Sequence, residues 1–117
     1  MVKIITKPWG HERIWAHTEK YVGKILYIKE GHKLSLQHHD FKDETIYVME
    51  GKLELFYGHN KETLQRIELE EDSSWRIEPK MLHRFSALNG PVTLLEVSTP
   101  ELEDVIRHED LYGRTTK

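Results

Sequence analysis

Along most of the chain apolar and polar residues alternate with a period of two, the signature of strands with one buried face. Lys24–Glu30 (KILYIKE), Thr45–Met49 (TIYVM), Lys52–Tyr57 (KLELFY) and Leu64–Leu69 follow it, as do Trp75–Glu78, Leu82–Leu88 and Val92–Ser98. Leu34–Gln37 reads as a further short strand after Gly31. Glu50-Gly51 reads as the two-residue turn of a hairpin, and Gly58-His59-Asn60-Lys61 and Asn89-Gly90-Pro91 as further turns. Roughly eight short strands at close spacing predict an all-β sandwich or barrel. The tail departs from this pattern. Thr99-Pro100-Glu101-Leu102-Glu103 combines a Thr cap, a Pro at the first helical position and acids in the first turn. That predicts a short C-terminal helix to about Arg107, with an extended tail as the alternative.

A length of 117 residues suits a single domain, 1–117. The chain has no cysteine, which excludes disulfides, thiolate metal sites and thiol nucleophiles. Any metal must therefore sit among imidazole, carboxylate and amide ligands. The net charge of −3 comes from 17 basic and 20 acidic residues scattered along the chain, unlike the basic stripe of a nucleic-acid binder. No apolar run approaches the ~20 residues of a membrane helix. Met1–Gly10 lacks the apolar stretch of a signal peptide, so a cytoplasmic location is expected.

Eight histidines in this length draw attention to where they fall. In Lys33–His39 (KLSLQHH), Leu34, Leu36 and His38 share one face, and Lys33, Ser35, Gln37 and His39 the other. The polar face either meets solvent or lines a polar cavity. Glu44 opens the next strand on the face of Ile46 and Val48, and His83 opens another on the face of Phe85 and Ala87. A carboxylate so placed costs several kcal/mol unless a positive group meets it, and a metal ion would do so. Gln37 and His39 project in parallel from one strand, with Glu44 and His83 arriving from two others. Nitrogen and oxygen ligands from separate strands, with a position left open, describe a catalytic metal site. His38 and His39 point opposite ways, and partnership with Gln37 favours His39. His11, His17, His32, His59 and His108 read as ordinary surface or packing histidines.

Gly31-(five residues)-Gln37-x-His39-(four)-Glu44-(six)-Gly51 resembles the first motif of the cupin superfamily. Glu78-Pro79-Lys80-Met81-Leu82-His83 is similar to the second, Pro-x-Gly-x-x-His, with Glu78 and Lys80 standing at its Pro and Gly. Gln37 takes the place of the first motif histidine, as in mannose-6-phosphate isomerases. Lys7-Pro8-Trp9-Gly10, Leu34-Ser35-Leu36-Gln37-x-His39, Leu95-Glu96-Val97 and Glu109-Asp110-x-Tyr112-Gly113-Arg114 all resemble segments of the cupin domain of the bacterial mannose-6-phosphate isomerases.

The resemblance implies a cupin barrel (a double-stranded β-helix or jelly roll). It also implies a divalent metal held by Gln37, His39, Glu44 and His83: zinc first, then Mn, Fe, Ni or Co. The implied activity interconverts mannose 6-phosphate and fructose 6-phosphate through an enediolate, with the metal as Lewis acid. Such a reaction needs a general base. Glu96, an acid within the apolar run Val92–Val97, is the first candidate, its other reading being a structural carboxylate. Lys33 would meet substrate phosphate or shuttle the proton, or simply face solvent. Arg114 would reach over the barrel mouth to an anionic sugar. A non-catalytic sugar-binding or sensor cupin and an iron-dependent dioxygenase are the alternatives. The expected partners are a small-molecule substrate, namely a sugar phosphate, and a second copy of the chain. The homodimer would form by exchange of an N-terminal strand containing Trp15 and Tyr21.

Overall fold

The computed structural model describes residues 2–116. Eleven strands run through the described residues in chain order: β1 (Lys3–Lys7), β2 (Gly10–His17), β3 (Val22–Ile28), β4 (Leu36–His38), β5 (Glu44–Glu50), β6 (Leu53–Gly58), β7 (Gln65–Leu69), β8 (Ser74–Ile77), β9 (Leu82–Ser86), β10 (Val92–Ser98) and β11 (Ile106–Glu109). They pair antiparallel into a six-stranded sheet, β1-β2-β3-β10-β5-β8, and a five-stranded sheet, β11-β4-β9-β6-β7. A 3-10 turn, Lys61–Thr63, lies between β6 and β7, its start capped by the Asn60 side chain.

The alternating residues do what their period requires. Leu26 and Ile28 of β3, Ile46 and Val48 of β5, and Val92 and Leu94 of β10 pack from one sheet. Leu53, Leu55 and Phe85 pack from the other. Each such side chain, taken fully out of water, stabilises the fold by about 1.5–3 kcal/mol. Toward one end of the barrel the inner faces turn polar. Glu96 of β10 pairs with Lys24 of β3 and Ile46 of β5, and Ser98 pairs with Glu44. Across the interior, Gln37 of β4 pairs with His83 of β9.

Three expectations need correction. β5 and β6 belong to different sheets, so Glu50-Gly51 is a crossing and not a hairpin. Gly51 has φ +87°, and a Cβ there would come within 2.4 Å of the Pro91 carbonyl oxygen, so glycine serves the crossing itself. The tail takes the extended alternative: Thr99–Arg107 forms turns and then enters β11 beside β4. The Thr99 hydroxyl accepts the Asp43 amide at 3.0 Å instead of capping a helix, which spends the helix-start signal on another loop. The period also breaks between the Lys33–Ser86 bridge and β4. Leu34 consequently lines the same cavity as Gln37 and His39, while Leu36 lines a different one. Within the single chain, the strand containing Trp15 pairs with β3, and Trp15 lies over Gly23, where a Cβ would meet its ring at 2.6 Å. Among the described residues no helix is long and apolar enough to cross a membrane.

Candidate metal centre

His39, Glu44 and His83 are each at most 4% exposed. Each offers one ligand atom, and these three atoms lie within 4.8 Å of one another. The imidazoles are oriented from behind. His39 Nδ1 bonds to the Asp104 carbonyl at 2.5 Å and His83 Nδ1 to the Met81 carbonyl at 3.0 Å. A carbonyl only accepts, so each Nδ1 carries the hydrogen and each neutral ring presents a lone pair at Nε2. Both Nε2 atoms lie 3.3 Å from Glu44 Oε1. All three atoms are buried without a hydrogen-bond partner. Two lone pairs and a carboxylate oxygen converging in a buried site repel one another, and a bound cation removes the repulsion. The donor set therefore fits a divalent metal ion.

The local backbone supports this arrangement. Lys80 stands where the motif has Gly and adopts φ +71°, a region that favours glycine. Its amide donates to the His39 carbonyl at 2.6 Å, which ties the loop before β9 to the end of β4. The Asp104 carboxylate accepts the amides of Asp40, Phe41 and Lys42, fixing the loop between His39 and Glu44.

Behind Glu44 lies a buried charge network. Lys42 Nζ sits 3.2 Å from Glu44 Oε2 and 3.2 Å from Glu96 Oε2. Burial works against the Lys42 charge, but the two carboxylates outweigh it and raise its pKa. Burial likewise pushes Glu44 up, yet the Lys42 ammonium beside it holds it well below the usual carboxylate range. Glu96 is pushed up to about 7, first by burial and then by neighbouring Glu44, against the pull of Lys42. One ammonium cannot fully compensate two carboxylates, and Glu96 is the one left able to hold a proton near neutrality.

These groups open onto a cavity of about 350 Å³. Gln37, His39, Glu44, Glu96 and Arg114 all line it. Gln37 Oε1 accepts from Ser35 Oγ at 2.6 Å. Arg114 is held by a two-bond fork to Asp110, Nε to Oδ2 at 2.8 Å and Nη2 to Oδ1 at 2.9 Å. Lys33 is placed elsewhere, a correction that follows from the broken period before β4. It lines a separate cavity with Arg84, Lys61 and Glu109. Residues that sequence reasoning missed complete the wall: Lys42, Lys24 and Glu12, Lys7 at the end of β1, and Arg107 in β11. Lys7 stands in the Lys7-Pro8-Trp9-Gly10 segment, and that motif was the available signal for it. Lys42 lies in Phe41-Lys42-Asp43-Glu44, which looks like a solvated loop until folded.

Comparison with known proteins agrees with this fold. A family model described as mannose-6-phosphate isomerase C-terminal matches residues 1–110. The xanthan biosynthesis protein XanB of Xanthomonas campestris pv. campestris is 30% identical over 115 residues, covering 95% of this chain and 24% of XanB. The chain thus spans about a quarter of that relative's length. Among solved structures, the capsular polysaccharide assembling protein CapF from Staphylococcus aureus superposes with a TM-score of 0.81 at 15% identity, over 93% of this chain and 34% of CapF. KdgF from Halomonas sp. superposes with a TM-score of 0.74 at 17% identity, over 89% of this chain and 91% of KdgF. The fold is that of a cupin, and the chain belongs to the mannose-6-phosphate isomerase C-terminal family.

Proposed function

We propose that this chain is a metal-dependent, sugar-phosphate isomerase-like cupin that interconverts mannose 6-phosphate and fructose 6-phosphate. The observation carrying the proposal is the convergence of three unpartnered buried ligand atoms, His39 Nε2, Glu44 Oε1 and His83 Nε2. His39 and Glu44 line a cavity that also holds a buried acid, Glu96. His39, Glu44 and His83 would hold the ion with Gln37 as the fourth ligand, and zinc is the first choice for this donor set. When bound, the ion supplies Lewis-acid stabilisation of negative charge on substrate oxygen.

The chain's own residues supply the proton chemistry. Isomerisation removes a proton from the carbon beside the carbonyl, passes through an enediolate and returns a proton to the neighbouring carbon. Glu96 is the base in this reading; its position in the cavity wall and its raised pKa suit a group that both takes and gives the proton. Lys42 keeps Glu44 ionised as a ligand and steadies Glu96. The apolar walls, Trp9, Leu26 and Phe85 among them, limit water at the reacting carbons. A homodimer belongs to the same reading; it is supported by Trp15 and Val97, both largely exposed on strands of one sheet.

The test is conversion of mannose 6-phosphate to fructose 6-phosphate by protein of confirmed metal occupancy, in deuterated water. Turnover with deuterium entering the product carbon supports proton transfer through an enediolate. Binding without turnover on every hexose phosphate assigns the chain to the sugar-binding cupins. Oxygen consumption with an iron-loaded site assigns it to the dioxygenases.

A further inference from the structure

Outside the cavity, two imidazoles meet at the edge of the five-stranded sheet. His38 ends β4, and His108 lies in β11, the edge strand paired with it. The register shifts between Arg107 and Glu109, which leaves His108 as the extra residue of a bulge, a feature that re-aims a side chain. His38 Nδ1 and His108 Nε2 stand 2.8 Å apart. On its other side, His38 Nε2 lies 3.2 Å from Asp40 Oδ1. A carboxylate accepts, so Nε2 carries the His38 hydrogen and Nδ1 presents a lone pair. His108 Nε2 then supplies the one hydrogen between the two rings. Burial and then His38 lower the pKa of His108, which keeps its ring neutral at pH 7. The His38 side chain is 20% exposed, unlike the sealed rings of His39 and His83.

We propose that His38 and His108 form a second, external metal site that takes Cu(II) or Ni(II) and clips β11 to β4. Bonds from a metal to an imidazole nitrogen run about 2.0–2.1 Å, so a bite of 2.8 Å sets an N–metal–N angle of about 85–90°. That is the angle between adjacent ligands of a tetragonal Cu(II) or Ni(II) site, and it is too acute for tetrahedral zinc. The ion takes the place of the shared hydrogen. The His108 proton moves to its Nδ1, both rings turn their lone pairs toward the ion, and water fills the remaining positions. Both rings stay neutral, so no net proton is released. Asp40 behind His38 completes the carboxylate–histidine–metal arrangement that fixes ring orientation and raises ligand basicity. With two protein ligands the clip binds more weakly than the interior centre and fills only when metal is supplied.

The position of the clip gives it a consequence. The segment entering β11 carries Asp104, whose carbonyl orients His39. β11 is paired with β4 alone, and irregularly, at His108. An ion joining the two strands at that point stabilises the part of the chain that orders the interior centre, because it binds only where both rings are in place. The site owes nothing to the isomerase reading.

The test titrates Cu(II) into zinc-loaded protein, followed by electron paramagnetic resonance, with zinc content measured before and after and thermal melting recorded with and without copper. The variants are His38→Ala, His108→Ala and, as control, His59→Ala. The expected result is one copper ion per chain with two nitrogen ligands, beside retained zinc, in wild type and His59→Ala. Affinity should fall about tenfold or more in His38→Ala and His108→Ala, with the second nitrogen lost from the spectrum. Copper at about a hundredfold excess over its dissociation constant should raise the wild-type Tm by several degrees, and the rise should be absent in His108→Ala. If His38→Ala fails to fold, His108→Ala on the edge strand decides alone. The difference between wild type and His108→Ala reads the pair whatever the interior centre holds. Wild type that takes no copper, copper that enters only by expelling zinc, or copper held equally well by His108→Ala overturns the site. A two-nitrogen copper signal with no rise in Tm overturns the clip.

Discussion

The Asp104 carbonyl accepts the Nδ1 hydrogen of His39 at 2.5 Å, while the carboxylate of the same residue accepts three backbone amides at 2.7–3.1 Å. One residue of the C-terminal segment therefore sets the tautomer of a candidate ligand and clamps the loop that leads to the next one. Burial pushes the Asp104 carboxyl up, but the three amides outweigh it and hold it below the usual range. Ordering from behind a ligand is a known lever on metal affinity. Asp104→Ala should weaken metal binding about tenfold to a hundredfold, measured by competition with a coloured chelator, with β-sheet circular dichroism preserved. Wild-type affinity in a folded Asp104→Ala protein would mean that the clamp has no bearing on the site.

Glu96 separates chemistry from binding. Glu96→Gln keeps the shape and removes the basicity. As the base, it should cost about a hundredfold to ten-thousandfold in turnover while metal content and substrate affinity stay near wild type. A structural carboxylate would instead give a lowered melting temperature with turnover per folded molecule preserved.

Asp110 gives a pH dependence remote from the metal ligands. Burial raises its pKa, but the Arg114 fork and backbone amides outweigh this and hold it below the usual value. A carboxylate lowered in the folded state stabilises fully above its unfolded pKa, and that stability is lost as pH falls through the folded pKa. A hydrogen bond to a charged group contributes about 1.5–3 kcal/mol. Asp110→Asn should therefore melt several degrees below wild type at pH 7, and the gap should close below about pH 4 as wild-type Asp110 protonates. A gap that stays constant down to pH 2 would rule out the charged pair as its origin.

The sheets were legible because alternation in runs such as Thr45–Met49 and Val92–Ser98 reports burial directly. Connections were harder. Glu50-Gly51 satisfies hairpin chemistry, yet whether the chain turns back or crosses to the other sheet depends on Pro91, far along the sequence. The Thr99 signal failed for a similar reason, because its hydroxyl was claimed by Asp43. At the site, Glu44 and His83 could be read from polar residues on apolar faces, and His39 from its partnership with Gln37 on one face of their strand. Lys33 could not be placed, because strand parity holds only while the strand is regular, and it is irregular between Lys33 and Leu36. The role of Asp104 at His39 was hidden because it acts through a main-chain carbonyl, which carries no sequence signature.

The measurement that bears most directly on the metal centre is metal stoichiometry after purification without chelator or tag. Wild type should hold one divalent ion per chain. His39→Ala, Glu44→Ala and His83→Ala should each lose most of it while remaining folded, and His38→Ala should keep it, because His38 faces His108 and Asp40 outside the cavity. A folded wild type that takes up no metal even when it is supplied, or a His38→Ala protein that loses the ion while His39→Ala retains it, would contradict the assignment.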